Sequence, residues 1–221
     1  MPNHTSTRLE ITGDIAEINR FIALADKPNC HFDFNSVVPM PEDLVGSVSP
    51  SRIVPQSTID AEKAKWDALS EAEKEKQTKF WGAKGKYSFG ITQEQSNELK
   101  AKYGADNWYD WSIKNWGTKW GAYDVSNWEV SGNKANVHYQ TAWSPATEFF
   151  LTASKQFTTL SFTHYYADEG GGFLGWETIK NGKTVKTVEI DWDSDEGISL
   201  RQELGCYSYD EDYEDDAGEE N

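Results

Sequence analysis

Arg8-Leu9-Glu10-Ile11 alternates polar and apolar positions, the period of a strand with one buried face. Gly13 and Asp14 then turn the chain, and Ile15, Ile18, Ile22 and Ala25 recur at helical spacing with Phe21 beside them. Asp14 and Glu17 stand three residues apart, as in a capping box, and Pro28 stops the helix. A strand leading directly into a packed helix is the opening half of a β-α-β unit. Phe32, Phe34, Val37 and Val38 then read as an extended, buried segment, and Pro39 and Pro41 prevent regular pairing beyond it. Residues 46–57, rich in Ser and Pro, read as a loop.

Residues 58–117 carry a helical pattern. Ser70 with Glu73 and Thr92 with Gln95 are capping-box spacings that mark two helix starts. Gly104 is a stop signal, and Asp106 starts a further helix. In that helix Tyr109, Ile113 and Trp116 share one face and Trp108 and Trp111 the next, leaving Asp110 and Lys114 as the solvent stripe. Strand patterns dominate the remainder. Residues 134–142 alternate after a turn at Ser131-Gly132-Asn133, and Ser144-Pro145 opens a helix with Ala146, Phe149, Phe150, Ala153 and Phe157 on one face. Leu160, Phe162, His164 and Tyr166 alternate next, and residues 173–180 and 183–190 flank Asn181-Gly182, a strong hairpin signal.

The order β-α, helical insertion, β-α-β, hairpin predicts an α+β fold of ferredoxin-like (split βαβ) type, a mostly antiparallel sheet with helices on one face. The expected organisation is a core from residues 1–45 and 117–192, a helical insertion at 46–116 packed on it, and an acidic, largely disordered tail at 193–221.

Thirty aromatic residues, ten each of Trp, Tyr and Phe, compensate for a modest hydrophobic fraction of 37%. The formal net charge is −16. Residues 191–221 hold thirteen acids and one base, and the other 190 residues hold twenty-four acids against twenty bases. The acidity therefore belongs to the C-terminus. The start lacks the basic and apolar regions of a signal peptide, and no apolar run reaches the ~18 residues of a membrane span. Cys30 and Cys206 form no CxxC pair and fit a reducing bacterial cytoplasm.

Several segments together carry a resemblance: MPNH, TGD before the first helix, FDFNSVVPMPEDL, YGADNWYDWSIKNWGTKW, TAWSP and YADEGGGFLGW. With them the chain resembles the YubB-type ferredoxin-like family of plasmid, phage and prophage proteins, from residue 1 to about 180 and only loosely over 45–100. The resemblance implies the fold and a mobile-element setting. It implies no established reaction and carries over no catalytic residue.

Four groups of residues could carry chemistry. Trp108, Trp111, Trp120, Trp143 and Tyr166 could stack on a base or sugar, or could be core where insertion and sheet meet. Asp168 and Glu169, beside Gly170-Gly171-Gly172, could bind a cation or act as an acid/base pair, or could be solvated acids in a wide turn. His138 and His164 could be neighbours across the sheet and, with Asp168, hold a metal for hydrolysis, although no further ligands stand at recognisable spacing. Asp210, Glu211, Asp212, Glu214, Asp215 and Asp216 form a like-charge block that either solubilises the chain or occupies a basic surface on a partner.

No GxSxG elbow or other catalytic constellation is present, so no catalytic residue, metal or cofactor is expected. Lys100, Lys102, Lys114 and Lys119 are balanced by acids, so direct nucleic-acid binding is not expected either. The leading expectation is an accessory interaction protein that binds and blocks a host factor, as a counter-defence inhibitor whose acidic tail meets a nucleic-acid-binding surface. The alternative is a small-ligand (nucleotide) binder with an aromatic pocket, and a metal-assisted hydrolase ranks below both.

Overall fold

The computed structural model describes residues 3–81 and 84–206. Strand β1 (His4–Thr12) leads into α1 (Ile15–Ala25), whose first amides, at Ala16 and Glu17, donate to the Asp14 carboxylate. A single helical turn, α2 (Phe34–Val37), follows. Then come α3 (Gln56–Asp67), α4 (Glu71–Trp81), α5 (Gln93–Tyr103) and α6 (Trp108–Trp116). Strands β2 (Glu129–Ser131) and β3 (Lys134–Ala142), helix α7 (Thr147–Gln156), strands β4 (Ser161–Asp168), β5 (Leu174–Lys180) and β6 (Lys183–Glu189), and helix α8 (Asp195–Glu203) complete the chain order.

The six strands form one sheet in the order β2-β3-β1-β4-β5-β6, and every neighbouring pair is antiparallel. Strands β3 and β4 run parallel to each other with β1 between them, so β3-α7-β4 is a split βαβ unit. With β1-α1-β2 as the other half, this is the predicted ferredoxin-like α+β sheet, extended by the β5-β6 hairpin.

The chain divides into two compact units, residues 1–38 with 115–221, and residues 39–114. In the first, Leu9 and Ile11 of β1, Val137 and Tyr139 of β3 and Phe162 of β4 share one sheet face and are all buried. Ring contacts carry that face into the helices: Phe21 of α1 meets Phe162 at 5.3 Å, and Phe150 of α7 meets it at 5.6 Å. In the second unit, buried Asp106 accepts hydrogen bonds from Ser51 Oγ (2.6 Å), Ser96 Oγ (2.5 Å) and Asn107 Nδ2 (3.1 Å), with Lys100 Nζ at 2.9 Å.

Several sequence expectations are corrected. Phe32, Phe34, Val37 and Val38 are buried as expected, yet residues 34–37 are helical rather than extended, because the Asp33 carboxylate accepts from the Asn35 amide and the Ser36 hydroxyl. Helix α7 begins at Thr147, not at Ser144-Pro145, because Trp143 takes a φ of 76° and Ser144 Oγ donates to the Gly117 carbonyl instead of capping. Ile113 is 37% exposed, so the solvent stripe of α6 is wider than Asp110 and Lys114. Residues 193–206, expected to belong to the disordered tail, are structured, and the rest of the expected tail lies outside the described residues. Ser194 caps α8 through the Gly197 amide, and Leu200, Leu204 and Cys206 pack with Ala167 and Leu174 against the sheet face opposite α1 and α7.

Candidate interaction surface

One end of the sheet gathers the start of β1, the segment after α6, the turn after β3 and the turn after β4. Gly117 takes a φ of 79° and ends α6, and Thr118 Oγ1 then donates to the Ala142 carbonyl at 3.0 Å. Downstream, Tyr123 and Gln140 exchange backbone hydrogen bonds of 3.0 and 2.8 Å, which ties this segment to β3. Tyr123 Oη lies 2.7 Å from His4 Nδ1, and its ring contacts the Trp120 indole edge-on at 6.5 Å. Burial, with the charges of Asp124 and Glu169, pushes the Tyr123 hydroxyl up to about 12, so it stays protonated and can donate to His4 at neutral pH. Lys119 lies over the Trp120 ring at 4.4 Å.

Trp143 sits at the end of β3 in the left-handed region, which a bulky residue rarely adopts. Its amide donates to the Asn3 carbonyl at 3.0 Å, and Thr141 Oγ1 donates to the Ser144 carbonyl at 2.8 Å, so both sides of the strained residue are pinned. The side chain itself is 47% exposed, and that of Trp120 is 41% exposed. Backbone strain at an exposed aromatic points to function, since folding gains little from it.

The two acids of the glycine turn have separate structural tasks. Asp168 is 5% exposed; its carboxylate accepts from the Gly172 amide at 3.0 Å and faces Asn3 Nδ2 at 3.5 Å. Glu169 accepts from the His4 amide at 2.8 Å, while its own amide donates to the His4 carbonyl. Neither reading of a solvated pair nor that of a coupled acid/base pair survives for Asp168, which is buried and committed to the turn. Tyr166 lies on the core face, against His164 at 5.4 Å and Phe173 at 5.9 Å, and burial with the charges of Glu177 and Glu189 pushes its hydroxyl up to about 12.

The predicted candidates therefore separate. Trp120, Trp143, Asp168 and Glu169 come together at this end of the sheet. Trp108 and Trp111 belong to the other unit, where Trp111 is buried and half-buried Trp108 packs against Tyr109. His138 and His164 are not neighbours: β1 runs between their strands, and His138 pairs with Arg8 while His164 pairs with Leu9, so they lie on opposite sheet faces. Buried His164 instead places Nε2 2.7 Å from Glu177, which also accepts from Thr147 Oγ1. Burial works to raise the Glu177 carboxyl, but those hydrogen bonds and the His164 charge outweigh it and hold the group below the usual range. Among the described residues no group of three His, Cys, Asp or Glu side chains is placed to hold a metal ion. Asp210, Glu211, Asp212, Glu214, Asp215 and Asp216 lie outside the described residues.

Asn3 and Tyr123 are members of the surface that sequence reasoning missed, and His4 is one that it reads as a structural histidine. His4 and Asn3 stand in the quoted MPNH segment; Tyr123 carries no signal in its neighbours.

Residues 115–218 match the family model of the ferredoxin-like domain in Api92-like protein. The uncharacterized protein YubB of Escherichia coli (strain K12) is 27% identical over 95 residues, which are 41% of this chain and 65% of YubB, so the match spans less than two thirds of that relative. The crystal structure of a protein api92 from Yersinia pseudotuberculosis aligns at 13% identity with a TM-score of 0.44, over 86% of this chain and 99% of that one. The family-model match and the similarity to YubB bear out the resemblance to the YubB-type ferredoxin-like family. The matched Api92-like segment begins at Asn115, so β1, which lies between β3 and β4 in the sheet, and the Asn3–His4 part of the surface come from outside it.

Proposed function

We propose that this Api92-like protein acts by binding: an accessory protein of a mobile element, working in the bacterial cytoplasm, that captures and blocks a host protein. The supporting observation is Trp143, an exposed indole held on strained backbone at the sheet end that also carries exposed Trp120, with the charges of Asp124 and Glu169 acting on Tyr123 there. Rigid, exposed tryptophans are the residues that dominate protein interfaces when a partner buries them. Asp124 and Glu169 at this end, against Lys119 on the Trp120 ring, leave a local excess of acid that favours a basic partner, such as the nucleic-acid-binding surface of a defence factor, and the acidic residues 210–216 would steer that partner at long range. The mobile-element setting implied by the family resemblance makes a host factor the natural target. No helix among the described residues is long and apolar enough to cross a membrane.

The test is a tagged capture from host cells with the full chain, Trp143→Gly, and a chain lacking residues 207–221. Glycine adopts the left-handed region without cost, so Trp143→Gly should keep its melting temperature or gain in it. Loss of a hot-spot tryptophan removes about 2 kcal/mol or more of binding, roughly thirtyfold in affinity, so specific capture should disappear. Deletion of the tail should slow association while leaving the same partner captured. Equal capture by Trp143→Gly and the full chain would contradict the reading.

A further inference from the structure

The sheet face opposite α1 and α7 carries a second site, which shares no residue with the surface around Trp143. The strand register puts Arg8 of β1 opposite Tyr165 of β4, and Tyr165 opposite Trp176 of β5. Lys186 of β6 reaches back over the Trp176 ring at 4.5 Å, and the Arg8 guanidinium lies 4.0 Å from the centre of the Tyr165 ring. The two rings are 5.9 Å apart. A single row therefore crosses four strands as cation, aromatic, aromatic, cation, over about 14 Å at the usual strand spacing.

The lysines of this face collect at the β5-β6 hairpin, while α8 brings Glu196 and Glu203 to its other side. By alternation from the same register, Lys180, Lys183 and Lys186 project from the β5-β6 hairpin on this side, and no carboxylate of β4, β5 or β6 joins them. Glu10 and Glu129 are the acids that β1 and β2 place here, and Glu10 is engaged by Lys134 at 3.4 Å. Beside the row, a cleft of about 220 Å³ opens between the sheet and α8, lined by Arg8, Tyr165, Trp176, Ser199 and two carboxylates, Glu196 and Glu203, among others. Glu203 forms an ion pair with Arg8 from the α8 side. The whole-chain charge, which argues against nucleic-acid binding, conceals a local row of cations and aromatic rings on the hairpin side of this face.

We propose that this face binds single-stranded nucleic acid, with bases taking the places that Arg8 and Lys186 hold over the Tyr165 and Trp176 rings, and those cations turning with the other hairpin lysines to the phosphates. Stacking on aromatic platforms flanked by cations is how single strands are held without regard to sequence. Glu203 is a built-in competitor for Arg8, so α8 sets the affinity. The occupant is a strand rather than a duplex, because stacking on a ring needs an unpaired base face.

Fluorescence anisotropy of the full chain with a labelled oligothymidylate tests this directly. Neutralising about three phosphates gives a salt slope near −2, so binding at about 50 mM salt should weaken roughly twentyfold at about 200 mM. The double variant Lys183→Glu, Lys186→Glu changes exposed side chains of the hairpin and should bind at least about tenfold more weakly with an unaltered melting temperature. Glu203→Gln should bind severalfold more tightly, by releasing Arg8. The proposal is overturned if the full chain shows no binding at low salt, if the double variant binds as the native chain does, or if Glu203→Gln leaves affinity unchanged. Displacement of the oligonucleotide by polyglutamate as effective as by unlabelled oligonucleotide of equal charge would also overturn it, assigning the face to acidic protein.

Discussion

Replacing Phe32 by alanine should cost the sheet unit about 3–5 kcal/mol of stability, the range for removing a fully buried phenylalanine. The ring has no solvent exposure and meets Phe34 at 4.9 Å, Tyr139 at 5.1 Å, Trp128 at 5.4 Å and Phe149 at 5.7 Å. It joins the segment after α1 to β3 and α7, so the cavity left behind is walled by three separate elements that cannot all collapse into it. Phe32→Leu retains most of the volume and should cost less than about half as much. Urea unfolding followed by tryptophan fluorescence and circular dichroism measures both. A loss below about 1 kcal/mol for the alanine variant would mean that the aromatic cluster does not organise this core.

The second large effect falls in the other unit. Asp106→Ala removes the carboxylate on which Ser51, Ser96, Lys100 and Asn107 converge, and leaves the fully buried Ser96 hydroxyl without its acceptor. Two or three stranded polar groups at about 1–3 kcal/mol each place the loss near 3 kcal/mol or above. The same network sets an acid limb. Burial works to raise the Asp106 carboxyl, but the hydrogen bonds outweigh it and bring it from 3.8 down to about 2. A depressed folded-state value means that the stabilisation is complete above the unfolded value and disappears as pH falls through the folded one. Stability of the native chain should therefore decline between about pH 4 and pH 2 through this residue, whereas Asp106→Asn should be less stable at neutral pH and flatter across that window. A variant whose acid limb matches the native one would remove Asp106 from the explanation.

Local chemistry made much of the fold readable. Alternation around Leu9, the Asp14 cap and the Asn181-Gly182 turn each specify structure through residues adjacent in sequence, and each element appears as read. Helix α8 did not read as structure because its apolar residues sit in an acidic run, and its burial depends on Ala167, Leu174 and Trp192, which lie outside the helix. Residues 34–37 misled for the opposite reason: apolar residues at short intervals suit a buried strand or a buried turn, and the Asp33 hydrogen bonds decide between them.

The candidate surface was half visible. Trp120, Trp143, Asp168 and Glu169 attract notice by type, but the positive φ of Trp143 and the burial of Asp168 are consequences of tertiary structure. The histidine pair failed on register, since a shift of one residue moves a side chain to the other face of a sheet. The same dependence hid the row of Arg8, Tyr165, Trp176 and Lys186, whose members come from four strands. Reading the apolar period of β4 through Phe162, His164 and Tyr166 identifies its core face, and leaves Tyr165 on the side where the basic residues collect.

Amide hydrogen exchange of the chain with and without its captured partner tests the binding account most directly. Slowed exchange at residues 118–124, 142–144 and 168–172, with Trp143→Gly abolishing it, is the pattern expected of a partner seated on Trp120 and Trp143. Protection confined to residues 207–221, or unchanged by Trp143→Gly, would contradict that account and move recognition off the sheet end altogether.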